Sequence, residues 1–527
     1  MSVLLATNEA TSVSDVFASP GEGSAAEASL SDVAQKDLKQ RTTHGAVVSL
    51  AARAVTFVMR TGSMMVLARL LVPKDFGLVG MVTAFIGFLA LFKDAGLSIA
   101  TVQRASVTHA QTSTLFWINV GVGFLLAGLG ALAAPLLAWF YSEPRLLWVT
   151  IALASGFVFN GAGAQHRAIL QRSMRFVAIA VIDAVSLVMS LAVAIGMALA
   201  GKGYWALVMS NVIPPAAGVF GVWLAARWIP GKPRRRADVR SLLWFGGTVT
   251  LNGVVAYLAF NLDKILLGRF YGAETLGVYG RAYQLTTLPT ENLTETIGFV
   301  AFPALARIQN EPSRLKSYFL KGYGSFLSLL LPITVACALF SEDVVRVFLG
   351  AQWKDAVPIF RLLVPTILAF ALNNPFFWLM LGTGQAKRSL KIGLVIAPLI
   401  VLGYVLGLPY GPRGVAIGFS ASMAISVAPL AYWATRGTLI TGRDLFATVI
   451  PPLISAAIGA AATLPALGLL GLVRPAFPRL VLETALFSST YLVVLLFVFK
   501  QRAAFAQLLQ ETRLWPFCSN STKDRSA

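Results

Sequence analysis

The chain has 527 residues, of which 57% are hydrophobic and 13% charged, and a formal net charge of +20 at pH 7. A water-soluble domain carries about a quarter charged residues, so the composition excludes a soluble globular protein and implies one that lives in a membrane. The positive charge does not point to nucleic acid either, because Lys and Arg are dealt out between long apolar runs and form no basic domain.

Residues 1–43 are rich in Ser, Ala, Glu and Asp and hold no apolar core long enough for a signal peptide, which predicts a disordered cytoplasmic tail. The first apolar run, 46–68, carries Ser49, Arg53, Thr56, Arg60 and Ser63 at alternating spacings of four and three, so all five share one helical face. A charge near the bilayer centre costs roughly 2.5–3.5 kcal/mol on insertion scales and normally faces protein or a water-filled cavity. The face therefore reads as the wall of a transport cavity that accepts an anion, with Arg53 and Arg60 as its cations and Ser49 and Thr56 as hydrogen-bonding neighbours. Internal pairing of the two arginines with Asp183, Glu291 or Glu295 is the structural alternative.

Thirteen further runs follow, at 75–95, 112–138, 146–165, 176–200, 203–226, 242–268, 277–305, 318–340, 356–381, 390–409, 413–434, 445–472 and 480–499. Each is near the ~20 residues that a helix needs to cross the hydrocarbon. With both termini in the cytoplasm, inner segments hold roughly 28 of the Lys and Arg residues, outer loops roughly 10 and the spans roughly 5, which is the positive-inside pattern. The strongest single signal is Arg227, Lys232, Arg234, Arg235, Arg236 and Arg240 between the sixth and seventh runs.

The chain also repeats. Segment 67–80, LARLLVPKDFGLVG, closes the first run and opens the second; segment 267–280, LGRFYGAETLGVYG, does the same for the seventh and eighth. Leu67/Leu267, Arg69/Arg269, Gly77/Gly277 and Gly80/Gly280 coincide without a gap, and Gly203 and Gly414 open the sixth and twelfth runs in a weaker echo. The predicted organisation is a cytoplasmic tail (1–43), a first six-span lobe (44–228), a basic linker (229–241), a second six-span lobe (242–436), two appended spans (437–499) and a cytoplasmic tail (500–527). An even number of spans per lobe enters the membrane the same way twice, so the relating axis lies along the membrane normal and the ligand is expected between the lobes.

Charge within spans gathers again in the seventh and eighth. Asp263 and Lys264 follow Asn252 and Asn261, and Arg281, Gln284, Thr287, Glu291, Thr294 and Gly298 continue at helical spacing with Glu295 beside them. Asp263 and Lys264 are sequence neighbours, so they point about 100° apart and do not pair with each other. Arg53 and Arg60 from one lobe with Lys264 and Arg281 from the other would clamp an anion, for which Arg offers a planar fork that stays charged. Ser49, Thr56, Asn252, Asn261 and Gln284 are the polar, hydrogen-bonding candidates beside them, with Asn160, Asn211, Asn373 and Asn374 as weaker ones. Glu291, Glu295, Asp263 and Asp183 are the candidates for coupling to H+ or Na+, a plain counter-ion or anchoring role being the alternative. Arg69 and Arg269 read as interfacial anchors. Two cysteines, Cys337 and Cys518, and three histidines support neither a disulfide framework nor a metal site, and no cofactor is expected.

Taken together, the ARLLVPKDFGL turn at 68–78, the LDKILLGRFYG segment at 262–272, the duplicated six-span lobes and the two extra spans resemble the polysaccharide transporter branch of the multidrug/oligosaccharidyl-lipid/polysaccharide exporter superfamily, the Wzx-type flippases of lipopolysaccharide and exopolysaccharide biosynthesis. The resemblance covers about 45–500, with Arg69, Asp75, Gly77, Asp263, Lys264 and Gly268 matching recurrent turn motifs. It implies an all-α, MATE-like pair of bundles in the bacterial inner membrane that alternates between inward-open and outward-open states. The implied substrate is an undecaprenyl-pyrophosphate-linked oligosaccharide, and polysaccharide polymerase or export machinery and membrane lipids are the implied partners. A cation-coupled multidrug exporter and a flippase for the peptidoglycan precursor are the competing transporters; two arginines and no carboxylate in the first span favour an anionic ligand over the former. An enzyme is not expected, because no outer loop exceeds about 20 residues, too short for a catalytic loop, and no G-x-x-x-x-G-K-[ST] phosphate cradle occurs.

Overall fold

The computed structural model describes residues 54–93, 108–233, 240–470 and 475–499, and contains no strand among them. The first half of the chain supplies α1 (54–70), α2 (Pro73–Ala90), α3 (His109–Phe140), α4 (Leu146–Arg172), α5 (Phe176–Leu199) and α6 (Tyr204–Ala226). The run Arg240–Arg307 reverses at Gly272, where φ is 79° and ψ 179°. A side chain rarely tolerates that conformation, and the turn divides the run into α7 (240–271) and α8 (273–307). Then come α9 (Pro312–Leu339), a short α10 (Ser341–Phe348), a 3-10 turn (Ala351–Trp353), α11 (Ala356–Leu363), α12 (Pro365–Gly382), α13 (Ala386–Gly407), α14 (Gly411–Thr435), α15 (Gly442–Leu470) and α16 (Ala476–Val493).

Ten stretches are long and apolar enough to cross a membrane, one of which, Lys387–Thr435, holds both α13 and α14. Together with α1, α7 and α8 they make the fourteen crossings that the apolar runs predict, α11 and α12 sharing one. Helices overrun the predicted spans by a few residues, as α4 does to Arg172 and α9 back to Pro312, because a helix does not stop where the hydrocarbon stops.

Local chemistry sets the starts. Pro73 begins α2, and the Val72 N–H donates to the Asp75 carboxylate at 3.4 Å. Thr108 caps α3 by accepting from the Gln111 N–H at 3.2 Å while donating its own N–H to the Gln111 side chain at 3.0 Å. Thr441 and Asp444 exchange the same pair of bonds ahead of α15, at 2.8 and 3.3 Å.

Large apolar side chains such as Leu132, Trp139, Leu224 and Phe446 are exposed around the outside, the arrangement a lipid solvent favours. The interior core runs through both halves, from Leu67, Phe76 and Leu78 to Phe326, Phe360, Phe376 and Phe419. Between helices in lipid, close backbone approach replaces the hydrophobic drive. Thus α13 and α14 touch where a methyl group on Gly407 would overlap the Gly414 carbonyl, and α3 meets α4 in the same way at Gly123 and Gly161. The last two helices attach to α9, with Leu331 and Phe340 packed against Ala456, Phe487 and Tyr491.

Candidate functional site between the halves

The charged residues of α7 and α8 form one continuous polar seam. Lys264 donates to the Asn261 side chain at 2.7 Å and lies 4.8 Å from the centre of the Tyr283 ring. The Asn261 amide in turn donates to the Tyr257 carbonyl at 3.0 Å. Arg281 donates to Gln284 and sits 4.3 Å from the centre of the Phe76 ring, so this cation of the second half rests on an aromatic face supplied by α2 of the first. Asp263 is fully buried and accepts from the Tyr279 hydroxyl at 2.9 Å. Its other oxygen has no partner, and neither has the buried hydroxyl of Tyr404. Tyr279 stacks on Tyr283, and both Tyr283 and Tyr404 pack on Phe419. Lys264, Arg281, Asn261, Gln284 and Asp263 are thereby gathered on two adjoining helices.

The remaining predicted residues stand elsewhere. Arg60 is exposed on α1 and Thr56 partly buried one turn before it. Asp183 on α5 is held by a two-pronged bond from Arg167 on α4, both contacts 2.7 Å. Glu291 is exposed on α8. Ser49 and Arg53 lie outside the described residues, as do both predicted tails and positions 234–239 of the basic linker; the side chains of Asn252 and Glu295 lie outside them too. Of the weaker candidates, Asn373 bonds Ser426 and Asn374 bonds Thr294, each at 3.0 Å, while Asn160 and Asn211 bond carbonyls of their own helices.

One end of this junction is clasped by the sequence repeat itself. A methyl group on Gly77 would overlap the Ala273 carbonyl, and one on Gly277 would overlap the Pro73 carbonyl. These are the same contact made twice, since 73 and 273, like 77 and 277, are repeat partners. The repeated arginines cross over as well: Arg69 of the first half donates to the Val347 carbonyl at 2.9 Å, and Arg269 of the second lies 5.5 Å from the centre of the Phe140 ring. Each, exposed at its helix end, reaches the opposite half.

The segment after α10 completes the clasp. Trp353 donates to the Ala68 carbonyl at 2.8 Å, Gln352 to the Leu71 carbonyl at 3.0 Å, and the Trp353 and Phe76 rings meet edge to face at 5.4 Å. The last carbonyls of a helix have no partner within it, so these donors occupy positions at the end of α1 that would otherwise need water.

A sequence model for a family described as "Polysaccharide biosynthesis protein" matches residues 66–358, which takes in α2 to α10 and the whole of the clasp and seam up to Trp353. The chain belongs to this polysaccharide biosynthesis family. Its relatives include the "Lipopolysaccharide biosynthesis protein WzxC" of Escherichia coli (strain K12), 27% identical over 392 residues, covering 72% of this chain and 78% of that one. Among solved structures, the "Lipid II flippase MurJ, inward closed conformation" superposes with a TM-score of 0.69 at 13% identity, over 86% of this chain and 99% of that one. The inward-facing conformation of a MATE family multidrug resistance transporter of the MOP superfamily gives 0.56 at 14% identity, over 74% and 97%. The fold of this family member is therefore the MATE-like fold of that superfamily.

Periodicity did not point to α10 or the 3-10 turn in this polysaccharide biosynthesis protein, because eight residues are too few for a span. A signal was nevertheless present: Ser341-Glu342-Asp343 opens α10 with acidic residues at its positive end and Arg346 closes it. Glu483 on α16 is 4% exposed and lies one turn from Arg479, which bonds Asp343 of α10.

Proposed function

We propose that this protein is a flippase that turns an undecaprenyl-pyrophosphate-linked oligosaccharide, an O-antigen or exopolysaccharide repeat unit, from the cytoplasmic to the periplasmic leaflet of the bacterial inner membrane. The observation that carries the reading is that a chain of the polysaccharide biosynthesis family sets Lys264 and Arg281 on adjoining helices at the junction of its two halves. Two phosphates need cations that stay charged in a poorly solvated place, and donors that fit their oxygens; Arg281 meets both needs, and Lys264 adds a point charge. Arg60, and Arg53 before it, supply further positive charge from α1. Asn261, Gln284 and Thr56 bond sugar hydroxyls, with Ser49 and Asn252.

The end that carries α1–α2, α7–α8 and α10 faces the periplasm, and the end with Arg172, Arg175, Arg227, Lys232, Arg314 and Arg436 faces the cytoplasm, together with both termini. In this arrangement the clasp is the outer gate, drawn shut, and the head group enters from the inner side. Opening of the clasp releases the head outward while the lipid tail stays in the bilayer. The six-span lobes, the basic linker and the two appended spans are the moving and fixed parts of that cycle. Return is coupled to H+ or Na+, for which Asp263, with one oxygen unpartnered, Glu291, Glu295 and Asp183 are the candidates, and polymerase or export machinery collects the product.

The test is flipping of a fluorescent undecaprenyl-pyrophosphate oligosaccharide in proteoliposomes, comparing the intact chain with Arg60→Ala and Arg281→Ala after folding of each is confirmed. Flipping by the intact chain that falls tenfold or more in Arg281→Ala supports the reading. Absence of flipping by the folded intact chain, with cation-coupled drug efflux in its place, overturns it.

A further inference from the structure

Three charged side chains of α10 and α16 meet in a buried cluster. Arg479 on α16 donates through Nε to one oxygen of Asp343 on α10 at 2.9 Å and through Nη2 to the other. One turn along α16, Glu483 brings an oxygen to 4.0 Å from the same Nε, too far for a hydrogen bond. The side chains of Arg479, Asp343 and Glu483 are 16%, 8% and 5% exposed. The second oxygen of Glu483 is buried without a partner.

The charge in this cluster does not balance. One guanidinium balances the charge of one carboxylate, and Asp343 takes its Nε and Nη2 bonds. A second ionised carboxylate would leave an uncompensated negative charge out of water, next to another of the same sign, which is the costliest arrangement a buried group can adopt. The other charged groups nearby do not relieve it. Glu342 and Arg346 on α10 pair with each other at 3.9 Å on its exposed side, and Arg361 on α11 is exposed to solvent and turns its Nε to the Ser341 hydroxyl at 3.0 Å. From α9 and α15 the neighbouring core presents Leu331, Phe340 and Ala456. A proton on Glu483 removes the surplus charge and also converts its idle oxygen from an acceptor into a donor.

We propose that Asp343, Arg479 and Glu483 form a proton-binding site that seats α10 on α16 and so holds the clasp shut. The proton is taken up by Glu483 when α10 docks and is released to water when α10 leaves, with one proton per cycle of docking. The connection onward is short: α10 carries the Val347 carbonyl that receives Arg69, and the turn after it carries Gln352 and Trp353, which bond the end of α1. The site thus gives the two appended spans a part in gating. Its consequence for transport rests on the flippase reading, whereas the proton site itself does not, and the two are read separately below.

The experiment uses the full chain in lipid nanodiscs. Infrared difference spectra titrated with pH report the protonated-carboxyl stretch, and a Cys337→Ser, Cys518→Ser background carrying spin labels at Lys354→Cys and Phe477→Cys, both exposed positions, reports how far the strap stands from α16. In the otherwise wild-type protein the carboxyl band is expected to fade and the label distance to lengthen with one shared midpoint as pH rises. Above that midpoint the docked-to-undocked ratio falls about tenfold per pH unit, the slope of a single proton. Glu483→Gln, neutral and of the same shape, is expected to lack the band and to stay docked at every pH. A wild-type protein without a titrating carboxyl band, a label distance that ignores that band's midpoint, or a Glu483→Gln protein that follows the wild-type pH profile would overturn the proposal. The spectra and distances of the wild-type chain decide it even where Glu483→Gln does not fold, and neither depends on the chain flipping a lipid.

Discussion

A fully buried carboxylate with a single donor is costly to keep, and Asp263 is in that position, with Tyr279 as its one hydrogen-bonding side chain. Removing the hydroxyl leaves both oxygens unpaired, and an orphaned buried group costs about 1–3 kcal/mol. Tyr279→Phe is therefore expected to lower the thermal unfolding midpoint in detergent, and to lower it further than Asp263→Asn, which removes the charge and keeps an amide oxygen that accepts the Tyr279 hydroxyl. The opposite order would mean that the Asp263 charge is stabilised by something other than Tyr279. At this scale the sequence told half of the story. Asp263, Lys264 and Arg281 stand out as charges inside apolar runs, and their divergence along the helix follows from a 100° turn per residue. Their partners do not stand out, because Tyr279 and Phe76 become neighbours of Asp263 and Arg281 only when α7, α8 and α2 fold together. Asp183 teaches the same lesson: its partner, Arg167, becomes its neighbour only when α4 and α5 fold together.

Between elements, the decisive contacts are made by residues with the least side chain. Gly77 and Gly277 let α2 and α8 cross so closely that each helix start touches the other's backbone. Adding a methyl group to either forces the pair apart, and overpacking of this kind costs about 1–3 kcal/mol. Gly77→Ala and Gly277→Ala are each expected to reduce the closed population by tenfold or more, read as the rate of disulfide formation between Gly80→Cys and Leu276→Cys, whose side chains adjoin across the junction. Because both methyl groups act on one crossing, the double variant should fall well short of the sum of the two. Independent, additive effects would contradict a shared contact. Trp353→Phe should act in the same direction but more weakly, by the ~0.5–1.5 kcal/mol of one net hydrogen bond. The glycine repeat was legible as a repeat, from identical spacing across two hundred residues. That its two copies meet each other was not, since spacing along a chain carries no information about which surfaces face.

Across the whole molecule, fourteen crossings followed from apolar runs because lipid leaves a helix no alternative way to satisfy its backbone. The same physics hid α10, which is short and amphipathic and lies between spans rather than in one. What the assembled parts describe is a pair of halves joined along α2, α7 and α8, shut at one end by a duplicated crossing and a strap, with cations along the seam behind it. If this arrangement is a transport cycle caught at one stage, fixing the clasp must stop the cycle. The direct measurement is flipping of an undecaprenyl-pyrophosphate oligosaccharide in proteoliposomes by the Gly80→Cys, Leu276→Cys chain in the Cys337→Ser, Cys518→Ser background. Flipping should cease on oxidation and return in full when the disulfide is reduced. Undiminished flipping by the fully oxidised protein would contradict the account, because the lipid would then be crossing without the clasp ever opening.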